Sequence, residues 1–161
     1  MGLIYLIYLN QYDLTKNEVD GFTTFVTKQT VETIQFFGYK CEAKSHETEA
    51  SFKIIINNVY VARVVEGCNA LSVIILFIAF VVAFKGKLKT TLFFVLLSIL
   101  FIHFLNIIRI ALICIAMLNY PQHQHLLHGV IFPLFIYGVV FILWIIWVNK
   151  FSIYATKTSK I

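Results

Sequence analysis

The chain has 161 residues, of which 60% are hydrophobic and 13% charged, and its mean hydropathy is +0.84. An ordinary soluble domain is about half apolar and about a quarter charged, so a water-soluble globule is excluded and a lipid-embedded chain is expected. The net charge of +5 comes from cations that flank apolar runs without clustering among aromatics, which excludes a nucleic-acid groove and makes them topology determinants.

Residues 1–12, GLIYLIYLNQY after the initial Met, are apolar for about ten residues, short of a full span and without the basic leader of a signal peptide. They read as a first helix cut short, as by a late start codon. Over residues 13–38, Phe22, Phe25, Val26, Val31, Ile34 and Phe37 recur at helical spacing among polar residues, which predicts an amphipathic helix on the membrane surface. Residues 49–66 hold two β-rich runs around Asn57-Asn58, a pair that tolerates left-handed backbone, and predict a hairpin.

Three longer spans are expected at 68–84, 90–118 and 126–148. The lysine knot KGKLK separates the first two, and NYPQHQH, with no Lys or Arg, separates the last two. Trp144 and Trp147 near the end of the last span suit an interface, and a tail with Lys150, Lys157 and Lys160 follows. Cations favour the cytoplasmic side, so the knot and tail are expected inside, and the hairpin, Cys68 and the histidine loop outside. The fold class expected is an all-α integral membrane protein. It has about four transmembrane helices, the first one short, with an amphipathic helix and a small β-hairpin on the extracytoplasmic side.

Arg109 sits within FLNIIRIALICIAML, where a guanidinium at the centre of a span costs roughly 2.5 to 3.5 kcal/mol. It is either a snorkelling or structurally paired arginine, or it does chemistry. Asn106 and His103, at successive intervals of three, share its helix face and would turn it into the bundle. Cys68 follows Gly67 at an expected helix start, where the helix dipole would favour a thiolate; the bland alternative is a small hydrophobe. Cys114, inside an apolar run, reads as packing, and three scattered thiols make no disulfide framework.

His128 opens the last span in HLLHGVIFP and can exchange a proton near neutral pH. With His123 and His125 it could instead bind zinc, but no carboxylate or thiol lies nearby in sequence, so neither a metal nor another cofactor is expected. The weak link is depth: Arg109 lies about 15 Å along its helix from the end that carries the outer loop.

Four blocks carry a family likeness: VDG at 19–21, YVARVVEGCNALSVIILFIAFVVAFKGKLK at 60–89, NIIRIAL at 106–112, and LLHGVIFPLFIYGVVFILWIIWVNKFS at 126–152. In these the chain resembles the exosortase and archaeosortase family, specifically the short exosortase F subfamily of Bacteroidota. The resemblance implies a membrane cysteine transpeptidase or protease of the bacterial inner membrane, its active site facing the periplasm. Cys68 would be the nucleophile, Arg109 the oxyanion stabiliser and His128 the proton-transfer residue, with Asn69 and Asn106 supporting. The implied partners are the lipid bilayer and secreted proteins bearing a C-terminal motif, a hydrophobic helix and a basic tail. The truncated first helix and Gly129, where a more polar residue is expected beside the histidine, depart from the family pattern. The alternatives are a non-catalytic membrane scaffold whose Arg109 pairs with a partner helix, and a protein binding metal through the loop histidines.

Overall fold

A computed structural model describes residues 19–123 and 126–152, with the backbone alone at 123, 128 and 132. The expected short span at 1–12, the start of the amphipathic helix, His125, Lys157 and Lys160 lie outside the described residues. The described chain falls into two compact units. The first takes residues up to Asn69 together with Asn106–Phe132; the second takes Ala70–Leu105 and the residues from Pro133 onward.

The first unit opens with helix α1 (Gly21–Phe36). Asp20 caps it through Oδ1, which accepts from Phe22 N at 3.0 Å and Thr23 N at 2.9 Å, two of the amide donors that a helix start leaves over. At the other end Gly38 takes a φ of +88° and donates its N–H to the Gln35 carbonyl, a turn that suits glycine. Thr23, Val26, Thr27, Thr30 and Ile34 form the buried face of α1, while Phe25 and Phe37 of the apolar set are exposed. Threonine serves there because its hydroxyl can bond within the helix. Thr27 Oγ1 donates to Thr23 O at 2.8 Å and Thr30 Oγ1 to Val26 O at 2.9 Å, so burial leaves these hydroxyls satisfied.

Strands β1 (Cys41–Ser45), β2 (Ser51–Ile56) and β3 (Val59–Val65) follow in an antiparallel sheet of that order. The β2–β3 hairpin turns where expected, with Asn57 and Asn58 both left-handed at φ 51° and 65°. Strand β1 is additional, pairing Cys41 with Ile56 through to Ser45 with Phe52. Gln35 Nε2 donates to Cys41 O at 2.9 Å and ties the end of α1 to it. The core of this unit joins Val26, Ile34, Cys41, Ile54, Ile56 and Val64 to Ile110, Ala111 and Cys114. The last three belong to the long helix α3 (Leu88–Asn119).

The second unit holds α2 (Leu71–Ala83), the first part of α3, and nearly all of α4 (Phe132–Ile146). Among the described residues, α3 and the run Gly129–Phe151 are long and apolar enough to cross a membrane. On α3, Leu92 at 60%, Phe93 at 71% and Leu100 at 66% exposure form a surface suited to lipid rather than water. The span expected at 68–84 is helical only over the 13 residues of α2. That rises about 20 Å against about 30 Å of hydrocarbon. A π-helical turn, Leu127–Ile131, precedes α4, where Pro133 removes a backbone donor and disfavours regular α-geometry. Trp147 is fully buried and donates Nε1–H to Phe84 O at 3.0 Å.

Candidate active site

Every candidate residue, Cys68, Asn69, Asn106, Arg109 and the backbone of His128, falls within the first unit. β3 delivers the chain to a 3-10 turn, Glu66–Cys68, so the thiol lies three residues beyond the end of the strand. Asn69 N donates back to Glu66 O at 3.3 Å, and Ala70 then takes left-handed backbone, φ 59° and ψ 8°, to cap α2. Such a conformation is strained for a residue with a Cβ and persists where surroundings fix it.

This corrects the expected position of Cys68 at a helix start. Cys68 ends a separate turn and stands two residues before the N-cap Ala70, so it is not the helix start that the sequence suggested. A helix dipole acts within its first turn and weakens beyond it. Arg109 is linked to the Cys68 backbone through Asn106.

Asn106 joins the two. It is fully buried; its Nδ2 donates to the Cys68 carbonyl at 2.8 Å, and its Oδ1 accepts from Arg109 Nη1 at 3.0 Å. One amide therefore holds both the backbone of the thiol residue and the guanidinium, using donor and acceptor together as a buried amide must. The spacing of three on α3 puts Asn106 and Arg109 on one face, as expected. The depth gap closes because the Cys68 segment comes to Asn106, three residues further from the helix end than Arg109 itself. His103 is half-buried and falls in the other unit.

On the far side, Asn69 is buried and its Nδ2 donates to Thr23 Oγ1 at 3.0 Å, a bond that also lies out of solvent. The residues flanking the Cys68–Asn69 peptide are thus held from α1 and from α3. Glu66, in the same turn, has its carboxyl pushed above the usual range by burial and then by the charge of Asp20. Thr23, Asp20 and Glu66 were not singled out from sequence as site residues, although an Asp before a helical pattern is an N-cap signal.

Cys68 is half-exposed, whereas Cys41 and Cys114 are buried in the core of this unit. Burial, then Glu42, pushes the Cys41 thiol up. Of the three cysteines Cys68 is the least buried, and it packs partly against the same core. His123 lies by its backbone in the 3-10 turn Pro121–His123, and His128 in the π-helical turn before α4. Among the described residues no group of three or more His, Cys, Asp or Glu side chains could hold a metal ion. A cavity of about 640 Å³ runs along Val59–Arg63 of β3 and is also lined by Met117, Leu118 and Pro121.

A family model described as transmembrane exosortase matches residues 1–149. Comparison with curated proteins and with solved structures returned no match.

Proposed function

Because the chain belongs to the transmembrane exosortase family, a transpeptidase or protease type of membrane protein, we propose that it cleaves the C-terminal sorting tails of secreted proteins through a thioester on Cys68. The observation that carries this reading is the shared amide: Asn106 bonds both the Cys68 carbonyl and the Arg109 guanidinium. A nucleophile and a fixed cation held together in a partly buried site are what acyl transfer requires.

His128 takes the Cys68 proton, the thiolate attacks the scissile carbonyl, and the oxygen that gains charge is stabilised by Arg109. The C–N bond breaks, the leaving amine takes a proton from His128, and the acyl group remains on sulfur. An amine or lipid nucleophile then displaces Cys68 and completes sorting, whereas water makes the same chain a protease. The cavity beside β3 has room for the extended segment that precedes the scissile bond, and β3 leads directly into the Cys68 turn. We read the four sequence blocks as those of the short exosortase F subfamily. The site then faces the periplasm of a bacterial inner membrane, with the lysine knot inside.

The length of α3 supports the placement. About 20 residues suffice to cross, and counted from Leu88 they end near Ile107. The Asn106–Arg109 step then falls at the membrane boundary, where a guanidinium costs less than at the bilayer centre.

The test is Cys68→Ala in cells that also make a secreted protein with the tripartite tail. Loss of tail processing at unchanged membrane abundance supports the enzyme; unaltered processing supports a scaffold in which Arg109 has only a structural partner.

A further inference from the structure

The VDG block at 19–21 lies nearly fifty residues before Cys68, and the mechanism above gives it no task. We propose that Thr23, held in place by the Asp20 cap, is a positioning residue for Cys68 and acts through Asn69; the proposal rests on Cys68 being the nucleophile.

The residues form one continuous path. Asp20 Oδ1 accepts from Thr23 N at 2.9 Å and so fixes the first turn of α1. Thr23 Oγ1 accepts from Asn69 Nδ2 at 3.0 Å, across 46 residues of sequence. Asn69 is joined by a peptide bond to Cys68, whose own carbonyl is held by Asn106. Asp20, Thr23, Asn69 and Asn106 are all buried, so these bonds meet little competition from water.

The backbone shows why an anchor is needed here. The 3-10 turn has no side-chain cap, and Ala70 is left-handed without being glycine. A short turn between a strand and a strained residue does not hold a side chain by itself. Anchors on both sides turn a flexible link into a fixed one, and a misplacement of about 1 Å in a reacting group costs on the order of 100-fold in rate. Gly21 sits at the first helical position, where an added Cβ would meet nothing within 4 Å, so the essential member of the block is the capping carboxylate.

The experiment compares Thr23→Val, Thr23→Ser, Asp20→Ala, Asp20→Asn and Asn69→Ala in the full-length protein in detergent. Two readouts are used: tail processing, and the rate at which a maleimide labels Cys68 as located by mass spectrometry. Thr23→Val, Asp20→Ala and Asn69→Ala are expected to lower kcat at least roughly ten-fold with KM little changed, and to change the Cys68 labelling rate roughly five-fold. Thr23→Ser keeps the acceptor oxygen and Asp20→Asn keeps the cap, so both are expected to stay near wild type. The double variant of Thr23→Val with Asn69→Ala is expected to be no worse than either single one.

Wild-type labelling and turnover in Thr23→Val would overturn the proposal, as would additive losses in the double variant. A loss that follows only the fraction of folded protein, with the labelling rate of the folded part unchanged, would also overturn it. Failure of the parent reading looks different: Cys68→Ala then retains processing, while the labelling comparison still reports on the anchor.

Discussion

At the scale of single residues, reactivity is divided among the three cysteines by burial. Cys68 is half-exposed, Cys41 is buried with its thiol pushed up, and Cys114 lies in the core of the first unit. Limited alkylation of the folded protein near pH 8 should therefore label Cys68 well before the other two, with all three equal in denaturant. Preferential labelling of Cys41 would contradict the packing described.

Arg109→Lys keeps a charge but replaces a planar, fixed fork with a mobile ammonium, and is expected to lower turnover at least roughly ten-fold. Turnover within two-fold of wild type would show that a charge alone suffices. Glu66 makes a prediction with a sign. Its carboxyl is raised by burial and by Asp20, so the folded protein binds that proton more tightly than the unfolded chain does. Its contribution to stability is present at low pH and is lost as pH rises through the interval from the ordinary glutamate value to the raised one. Glu66→Gln should flatten the dependence of Tm on pH across that interval, and a steeper profile would contradict it.

At the scale of elements, Gly86 lies close against the Trp147 ring within the second unit. A Cβ at Gly86 would stand 2.8 Å from the Trp147 ring and 3.2 Å from the Phe151 carbonyl, and that ring is fully buried with its Nε1–H on Phe84 O. Gly86→Ala forces a large ring to move within a packed core and is expected to cost about 1 to 3 kcal/mol. Thermal unfolding in detergent checks it, and an unchanged Tm would mean that the ring relocates freely.

The elements also show what could be read from sequence and why. The hairpin was legible because two adjacent asparagines between β-rich runs leave few other conformations, and α3 because its apolar run is long. α2 begins three residues later than the span expected from residue 68 because Ala70 before it is left-handed, and an alanine carries no signal for that conformation. β1 was missed because CEAKS has little β-propensity and is held by pairing with β2, a tertiary cause. The face that α1 buries in the protein was not legible from sequence because its threonines satisfy their hydroxyls within the helix and then behave as small core residues. Of the site, Arg109 and Asn106 were legible from helical spacing. The bond from Thr23 to Asn69 was not, because it joins positions 46 residues apart with no pattern between them.

At the scale of the whole molecule, the first unit carries the candidate chemistry and the chain also holds apolar helices suited to lipid. α3 takes part in both: its first part belongs to the second unit, and from Asn106 onward it supports the first. The central claim is that acyl transfer runs through Cys68 and Arg109. The most direct measurement is to capture the protein in the act, by co-expressing it with a tail-bearing secreted protein and mapping thiol adducts by mass spectrometry after rapid denaturation. The account predicts a hydroxylamine-sensitive acyl adduct on Cys68, ending at the cleaved carbonyl, greatly reduced in Arg109→Ala and absent in Cys68→Ala. Tail cleavage that continues in Cys68→Ala, or an adduct confined to Cys41 or Cys114, would contradict it.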